Sequence, residues 1–448
     1  MSEWKLEDAV SFVLEESRRA GAEAADVLAV AGDELSVGVR LGEVEKLKRA
    51  RAKQLGLRVF TGSRSAVTST ADLTRDGLLS LVRDSLALAR LVPPDECAGL
   101  PAPEEIAKEI PSLDLDDPTQ LEPAEALDFV RRAEAAARAE DPRIVNSEGA
   151  ELEASGRDVI YGSTAGFLGS YRVSNFSLWV VPVAARDGEM QRDSWYCAGR
   201  KASVLAEAEA VGRQAARRAL RRLGARRVPT CEVPVVFEAP VAASLLRHLA
   251  AAVSGSSLYR GTSFLAGKLG ERIAPETVTV VDDGRMARAL GSRPFDAEGV
   301  PTRRTPVVER GRLAHYLFDT YSARKLGARS TGNAVRSVGG FPSVGTHNFY
   351  LEAGPWSPEE IVRETDRGLW VVELIGQGVN PVTGDYSRGA VGLWIEGGEF
   401  AFPVHEVTIA GNLLEMYRSI DRVGNDLEFR SATASPTVRI ARMTVAGI

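Results

Sequence analysis

The sequence predicts an α+β protein of two domains whose sheets are mainly antiparallel. A chain of 448 residues is too long for one ordinary apolar core, which indicates two or three domains. Amphipathic helices and a strand meander fill the first half, whereas strands and turns dominate the second. The segment from Arg226 to Thr230 has the composition of a boundary. We therefore predict an α+β N-terminal domain over residues 1–227 and a β-rich C-terminal domain over residues 228–448.

The start of the N-terminal domain is predicted to hold two helices with antiparallel strands between them. An apolar stripe predicts the first helix over Leu6 to Arg19. Asp72 stands where it can cap the second helix, which runs to Leu91. Apolar runs separated by turn residues place the strands at Ala25 to Ala31, Leu35 to Leu41, Glu43 to Arg51, Gly56 to Phe60 and Ala66 to Thr70.

A proline-rich connection, residues 92–121, interrupts this domain. It contains six prolines and many acidic residues, a composition typical of an exposed segment without its own core. Pro123 then predicts the first turn of a helix that reaches Ala139. Strand patterns extend from Ile144 to Ala198, and a long helix is expected over Ser203 to Leu223.

The C-terminal domain is predicted to consist mostly of strands and turns. A helix is expected over Pro240 to Val253, and a shorter one over Ser357 to Asp366. Gly397 and Gly398 indicate a hairpin turn between two apolar strands. Further strands are expected at Cys231 to Phe237, Thr277 to Val281 and Leu313 to Phe318.

Composition narrows the classes of function. The net charge is −6 and the pI is about 5.6, which argues against direct binding of nucleic acid. No apolar stretch approaches the length that crosses a bilayer, and the first residues lack the apolar run of a signal peptide. We expect a cytoplasmic protein without a membrane segment. Three scattered cysteines, Cys97, Cys197 and Cys231, predict free and mostly buried thiols.

The most distinctive stretch is a glycine-rich polar loop, Gly376 to Ala390, between two apolar segments. Its glycines permit positive φ angles or close approach of another chain, and loops of this kind often carry function. We expect Arg388 to pair with Asp385 or with a substrate carboxylate. The alternative is a long hairpin connection in which these two side chains only brace a turn. The residues assigned to a substrate or partner cleft are Gly376, Gln377, Gly378, Asn380, Thr383, Gly384, Asp385 and Arg388.

No catalytic or metal-binding residue is predicted within this chain. The four histidines do not stand in the spacing of a zinc site, and Ser163 lacks the spacing of a nucleophile elbow. Each histidine is therefore expected to be a hydrogen-bonded structural residue. The histidines are His248, His315, His347 and His405.

Several long motifs resemble one family, the TldD/TldE proteases of bacteria and archaea, and specifically its TldE (PmbA) branch. The resemblance spans nearly the whole chain and is weaker in the N-terminal half. Beyond the glycine-rich loop, the motifs that carry it are Ser254 to Arg260, Gly291 to Val300, Tyr321 to Gly327, Gly392 to Glu399, Phe402 to Val404, Thr408 to Asn412 and Val423 to Asp426.

The resemblance implies that a zinc site is missing here. The catalytic TldD branch carries His-Glu-x-x-x-His on a helix. Counting back without gaps from the shared segment Ser263 to Gly267, the two histidine positions are Leu246 and Ala251, and the glutamate position is Arg247. A late cysteine of the catalytic branch is also absent, since the last cysteine here is Cys231.

The family therefore implies a non-catalytic subunit of a heterodimeric zinc metalloprotease, which cleaves unfolded or extended peptides inside an enclosed cavity. Zinc would reside in a TldD-like partner, and this chain would hold no cofactor. The strands flanking the loop are expected to form or flank a sheet edge to which a peptide adds. Two alternatives stay open: a self-sufficient homodimeric metallopeptidase with an unrecognised metal site, and an adaptor that binds gyrase or another DNA-associated protein.

Overall fold

A seven-stranded sheet organises the first half of the chain in the computed structural model, which describes residues 5–447. Its strands are β1 Ala24–Arg40, β2 Glu43–Thr61, β3 Arg64–Thr70, β4 Ile144–Ser163, β5 Leu168–Arg186, β6 Glu189–Arg192 and β7 Trp195–Gly199. The order across the sheet is β3-β2-β1-β4-β5-β6, with β7 also paired to β5. All of these pairings are antiparallel.

Helices cover this sheet through two separate apolar cores. The helices are α1 Leu6–Arg19, α2 Arg75–Leu91, α3 Pro123–Ala139 and α4 Ala208–Leu220. The first two pack on β1 to β3, and the other two pack mainly on β4, β5 and the far half of β1. Two 3-10 helices, Pro103–Glu105 and Ala202–Glu207, complete the first half.

The structure corrects three boundaries in this half. The four predicted strands before Thr61 are two long ones, because β1 and β2 pair continuously from Ala24↔Phe60 to Arg40↔Glu43 around one irregularity. Helix α2 is capped by the Thr74 hydroxyl, and Asp72 accepts a hydrogen bond from the Thr74 N–H. Helix α4 starts late because its expected first turns are the second 3-10 helix.

The proline-rich connection is not simply exposed, so that prediction was wrong. Ala107, Leu113 and Leu115 are buried. The backbone N–H of Ala107 donates to Gly299 O, and Leu113 O accepts from the N–H of Arg288. These residues tie the connection to the second half of the chain, and isolated apolar residues among prolines carry no periodicity that could reveal it.

The second half contains one short hairpin and two larger sheets. Its helices are α5 Ala239–Ala252, α6 Gly255–Tyr259, α7 Thr320–Lys325, α8 Pro358–Arg363 and α9 Leu413–Arg418. Its strands are β8 Cys231–Phe237, β9 Val280–Asp283, β10 Arg304–Glu309, β11 Arg312–Leu313, β12 Ala334–Val335, β13 Ser343–Val344, β14 Asn348–Leu351, β15 Arg367–Ile375, β16 Asp385–Glu396, β17 Glu399–Asn412, β18 Ile420–Val423, β19 Thr433–Ala434 and β20 Val438–Ala446.

The five-stranded sheet has the order β11-β10-β9-β14-β19, and the six-stranded sheet has the order β17-β16-β15-β8-β20-β18. Strand β17 also pairs with β20, which closes five strands into a ring. Helix α5 shares one apolar core with strands of both sheets. Only the pairings β8–β15 and β14–β19 are parallel in the described sheets, so the predicted α+β class with mainly antiparallel sheets is confirmed.

Two predicted strands of this half are shorter or displaced. Strand β9 begins at Val280 rather than Thr277, and β11 ends at Leu313. Beyond β11 the backbone N–H groups of Ala314 and His315 both turn to Val307 O, which takes the chain out of the ladder. The predicted domain boundary at residues 227 and 228 lies between α4 and β8 and stays a prediction.

Residues 5–447 include all three cysteines and the helices whose length and apolarity decide whether one could cross a membrane. Cys97, Cys197 and Cys231 are free, as predicted, but only Cys197 is buried and the other two are partly exposed, so the prediction of mostly buried thiols was wrong. Burial raises the pKa of Cys197 to about 11. No helix within residues 5–447 combines the length and the apolarity needed to cross a bilayer.

Candidate functional site

The glycine-rich loop projects from the ring of strands between β15 and β16. The register of these two strands ends at Ile375↔Gly389, so residues 376–384 lead out of the sheet, whereas Asp385 to Arg388 stay paired with β17. Gln377, Asn380 and Thr383 are exposed. The loop therefore presents polar groups and backbone to solvent at one end of the ring.

Side chains within the loop fix its shape. The Asn380 Oδ1 atom accepts from the N–H of Val382 at 2.9 Å, and the Thr383 hydroxyl donates to Asp385 at 2.6 Å. Asn412, the last residue of β17, donates to the Thr383 carbonyl at 2.9 Å. Asn380, Thr383 and Asp385, which were assigned to the cleft, are thus exposed and also hydrogen-bonded within their own segment of the loop.

Two glycines are required by the loop's geometry. A side chain at Gly378 would place its Cβ 1.9 Å from the carbonyl oxygen of Ser387. Gly384 has a φ of +82°, and a Cβ there would lie 3.3 Å from the Phe264 ring. The loop is therefore packed against its own return strand and against Phe264, whose N–H donates to Pro381 O at 3.0 Å.

The predicted pairing of Arg388 with Asp385 is wrong. The two residues are three apart on a strand, so their side chains point to opposite faces of the sheet. Arg388 instead donates to the Leu374 carbonyl at 3.4 Å, and its Nε atom is buried without a partner among residues 5–447. Arg388 is thus a partly buried guanidinium with one nitrogen, Nε, that lacks a partner, and such unsatisfied hydrogen-bonding capacity is a feature of sites that bind a ligand or a partner.

Arg388 belongs to a polar cluster with His248 of α5 and Tyr386 of β16. The His248 and Tyr386 rings meet edge to face with centroids 6.1 Å apart. The His248 Nε2, Tyr386 Oη and Arg388 Nε atoms are all buried and have no hydrogen-bond partner within the described chain. Burial, together with the positive charges of Arg388 and Arg247, lowers the pKa of His248. Burial also raises the pKa of Tyr386 to about 12, so both groups are neutral near pH 7.

This cluster corrects one expectation about the histidines. His315 and His347 are hydrogen-bonded through Nδ1, to Pro306 O at 2.8 Å and to Asp282 at 2.9 Å, as predicted. The prediction is wrong for His248, whose buried Nε2 atom has no hydrogen-bond partner among residues 5–447, and for His405, whose ring forms no hydrogen bond with those residues. In the sequence, the only sign of this cluster was the spacing of Tyr386 and Arg388, which are two residues apart and therefore lie on the same face of a strand.

Helix α5 shows what occupies the zinc-motif positions. Leu246 lies in the apolar core shared by the two sheets and is 5% exposed, whereas Arg247 and Ala251 are exposed. These side chains supply no zinc ligand and do not converge on one point. Within residues 5–447, no three His, Cys, Asp or Glu side chains come together as a metal site requires. The residues present do not fit a zinc ion.

A short sheet edge lies beside the loop. The pairing of β15 with β8 ends at Val371↔Phe237, so the last four residues of β15 pair only with β16. Ile375 at its end and Val382 in the loop are large apolar residues exposed by 54% and 51%. The segment from Val372 to Ile375 therefore has no second strand partner among residues 5–447 and lies next to apolar surface, although Val372 is buried and the Leu374 carbonyl accepts from Arg388.

Three domain models of one family match consecutive parts of the chain. They are described as PmbA/TldA metallopeptidase domain 1 at residues 25–89, central domain at residues 116–223 and C-terminal domain at residues 230–447. The chain is 40% identical over 444 residues to metalloprotease PmbA of Escherichia coli O157:H7, with 99% of this chain and 96% of that protein covered.

Solved structures agree with the fold. A candidate modulator of DNA gyrase from Bacteroides thetaiotaomicron superposes with a TM-score of 0.91 at 26% identity, covering 98% of each chain. TldE from Thermococcus kodakarensis superposes with a TM-score of 0.88, covering 98% of this chain and 100% of that one. Its identity is 24%, which supports the fold alone.

Proposed function

Because this chain belongs to the PmbA/TldD metallopeptidase family, we propose that it is the non-catalytic, TldE-like subunit of a heterodimeric zinc metallopeptidase. A TldD-like partner would supply zinc, and the two chains together would enclose a cavity in which unfolded or extended peptides are cut.

The single observation that carries this proposal is the chemistry of α5. Zinc peptidases need imidazole and carboxylate groups converging on one ion, with a position left for water. Leu246 is committed to the apolar core, and the exposed Arg247 and Ala251 offer a cation and a methyl group instead. A guanidinium at the glutamate position repels a metal cation, so α5 is unsuited to hydrolysis and free to shape the wall of a shared site.

The loop and the His248 cluster supply what a binding subunit needs. Backbone groups of Val372 to Ile375 can pair with an extended peptide largely independently of its sequence. The free donors of Tyr386 and Arg388 can orient a peptide carbonyl or carboxylate. The cleft residues Gly376 to Arg388 would lie against the substrate or the partner, with Ile375 and Val382 as apolar contacts.

The test is a peptidase assay on untagged protein, with each chain alone and with the two chains mixed. We expect no cleavage of an unfolded peptide by this chain, no stoichiometric zinc in it, and activity when the TldD-like chain is added. Chelator-sensitive cleavage by this chain alone, after contaminant controls, would instead favour the self-sufficient homodimer. Tight association with gyrase and no gain of peptidase activity in the mixture would favour the adaptor.

A further inference from the structure

A polar cavity away from the glycine-rich loop lies between the N-terminal sheet and the second half of the chain. Its volume is about 400 Å³, within the range of small-molecule sites. One wall is a face of β1, β4 and β5, and the other is the segment Leu290 to Ala297 with Val335 and Arg336. The lining shares no residue with α5 or the glycine-rich loop. It includes part of the motif Gly291 to Val300, for which the proposed function has no use.

The cavity is lined by four arginines: Arg157, Arg200, Arg293 and Arg336. Arg157 and Arg293 form no ion pair or side-chain hydrogen bond with residues 5–447. Arg200 donates only to backbone carbonyls: to Ser174 O at 3.0 Å, to Ala289 O at 3.5 Å and to Leu290 O. Burial and the positive charges of Arg293 and Arg157 lower its pKa, which reflects guanidinium groups gathered without compensating anions.

Arg336 adds buried donors to this wall. Its side chain is 1% exposed, and its Nη1 atom donates to Asp26 at 2.7 Å. Its Nε and Nη2 atoms are buried and have no partner among the described residues. Because these atoms have no accessible surface, Arg336 adds positive charge from behind the cavity wall, partly balanced by Asp26, and the arginines that a ligand can contact directly are Arg157, Arg200 and Arg293.

The acidic residue in the lining does not neutralise the arginines. Both carboxyl oxygens of Asp296 accept backbone N–H groups, from Glu298 and Val300 at one oxygen and from Ala334 at the other. Burial and the nearby Glu298 raise the pKa of Asp296 to about 7. Asp296 shapes its own turn, and the positive charge of the cavity remains in excess.

Aromatic rings form the rest of the wall. Phe295 meets Tyr171 edge to face with centroids 5.2 Å apart and lies 6.5 Å from Tyr161. Aliphatic side chains of β1 and β4, including Val30 and Val159, lie beside them. The cavity thus joins a cationic region to an apolar one.

We propose that this cavity binds a small organic anion, in which a carboxylate or phosphate group contacts the arginines and a compact, planar apolar body lies against the partly exposed Tyr171, Val30 and Val159. Guanidinium groups match both anions through paired N–H donors. This function is separate from peptide binding and would hold whether or not the chain is a peptidase subunit.

The experiment is calorimetric titration of the full chain with four probes: benzoate, phenyl phosphate, inorganic phosphate and neutral benzamide. We expect benzoate or phenyl phosphate to bind with a dissociation constant below about 1 mM, and benzamide and inorganic phosphate to bind at least about tenfold more weakly. Tighter benzoate assigns a carboxylate ligand, and tighter phenyl phosphate assigns a phosphate ester.

Variants locate the binding. Arg157→Gln with Arg293→Gln should weaken the better probe by at least about tenfold, since hydrogen bonds to ionised groups are the strong ones. Neither residue has a partner to lose, so the melting temperature should change by less than about 2 °C. The matched control is Arg329→Gln, an exposed arginine without an ion pair to residues 5–447. Equal binding of benzamide, unchanged affinity in the double variant, or no binding of either aromatic anion would overturn the proposal.

Discussion

Asp26 and Tyr386 are both almost fully buried, yet their surroundings differ in kind. Asp26 accepts from Arg58 Nε at 2.9 Å, from Arg336 Nη1 at 2.7 Å and from the Tyr161 hydroxyl at 3.3 Å. Arg58 also reaches Glu298 at 3.1 Å, so this network joins the N-terminal sheet to the second half of the chain. Tyr386 and its neighbours His248 and Arg388 leave three buried polar atoms without partners from the described chain.

The difference separates a polar cluster that supports the fold from one that serves a ligand. The Asp26 carboxylate accepts hydrogen bonds from Arg58, Tyr161 and Arg336, although two other nitrogens of Arg336 have no partner among the described residues, and a carboxylate satisfied from both halves of the chain acts as a joint between them. Polar atoms left open at the rim of a loop gain nothing for the isolated chain, and they are the atoms that an incoming group can satisfy. The comparison predicts that changes around Asp26 affect stability, whereas changes around Arg388 affect activity in the complex.

The largest expected effect is that of Asp26→Ala. Removing this carboxylate leaves the buried Arg58 and Arg336 guanidiniums without their main counter-charge, which should lower the free energy of unfolding by about 3–5 kcal/mol. Urea unfolding followed by circular dichroism measures it. The control is Asp33→Ala, a half-exposed carboxylate on the same strand. Equal stability of the two variants would contradict the assignment of Asp26 as the joint.

The pH dependence of stability sharpens the same point. Burial alone would raise the pKa of Asp26, but Arg336 and Arg58 outweigh it and hold the pKa below its ordinary value of 3.8. A carboxylate with a depressed folded pKa contributes stability above its unfolded pKa, and this contribution is lost as the pH falls through the folded pKa. The melting temperature of wild type should therefore exceed that of Asp26→Asn at pH 7, and the gap should narrow below pH 4. A gap that is constant from pH 7 to pH 3 would show that the charge of Asp26 is not what stabilises the joint.

The opposite pattern is expected for Arg388→Met, which keeps an unbranched apolar stem but removes the guanidinium and its charge. The isolated chain should melt within a few degrees of wild type, because the change removes an unpaired Nε donor and one long hydrogen bond, to the Leu374 carbonyl at 3.4 Å. Peptidase activity of the mixture with the TldD-like chain should fall by about tenfold to a hundredfold. Arg367→Met, on the neighbouring strand β15 and away from the loop, serves as the control. Full activity of Arg388→Met would remove Arg388 from the site.

Sequence reasoning predicted local structure better than long-range contacts. The helices over Leu6 to Arg19 and Pro123 to Ala139 match their predicted ranges, because an apolar stripe and a first-turn proline are local signals. The burial of Leu113 and Leu115 left no local signal. His248 and Tyr386 are in contact but lie far apart along the chain. Local sequence patterns cannot predict a contact between such distant residues.

The candidate site divides in the same way. The loop was recognisable from its glycines and polar residues, and the need for glycine at Gly378 and Gly384 has a visible cause in the structure. The pairing of Asp385 with Arg388 failed because residues three apart on a strand face opposite ways, and the strand's start could not be placed to the residue from composition.

The smallest expected effect concerns Asp385, which the structure assigns to the loop's own network. Asp385→Ala should cost about 1 kcal/mol, since it removes one short hydrogen bond, from Thr383, and one long one, from Asn412, in an exposed turn. Thr383→Val removes the same short bond and a longer one from the Asp385 N–H, so the double variant should be less destabilised than the sum of the two single variants. Glu399→Ala, an exposed carboxylate at the start of β17 outside the loop, controls for the loss of a surface charge. Hydrogen exchange at the amides of residues 382–384 should become faster by the same factor in both single variants and stay unchanged in the control. Peptidase activity of the mixture should fall only in proportion to this increase in hydrogen exchange. If Asp385→Ala abolishes activity and leaves these amides protected, Asp385 contacts the substrate or the partner directly. Asp385 would then be a binding residue, as Arg388 is, and not a residue that only supports the loop.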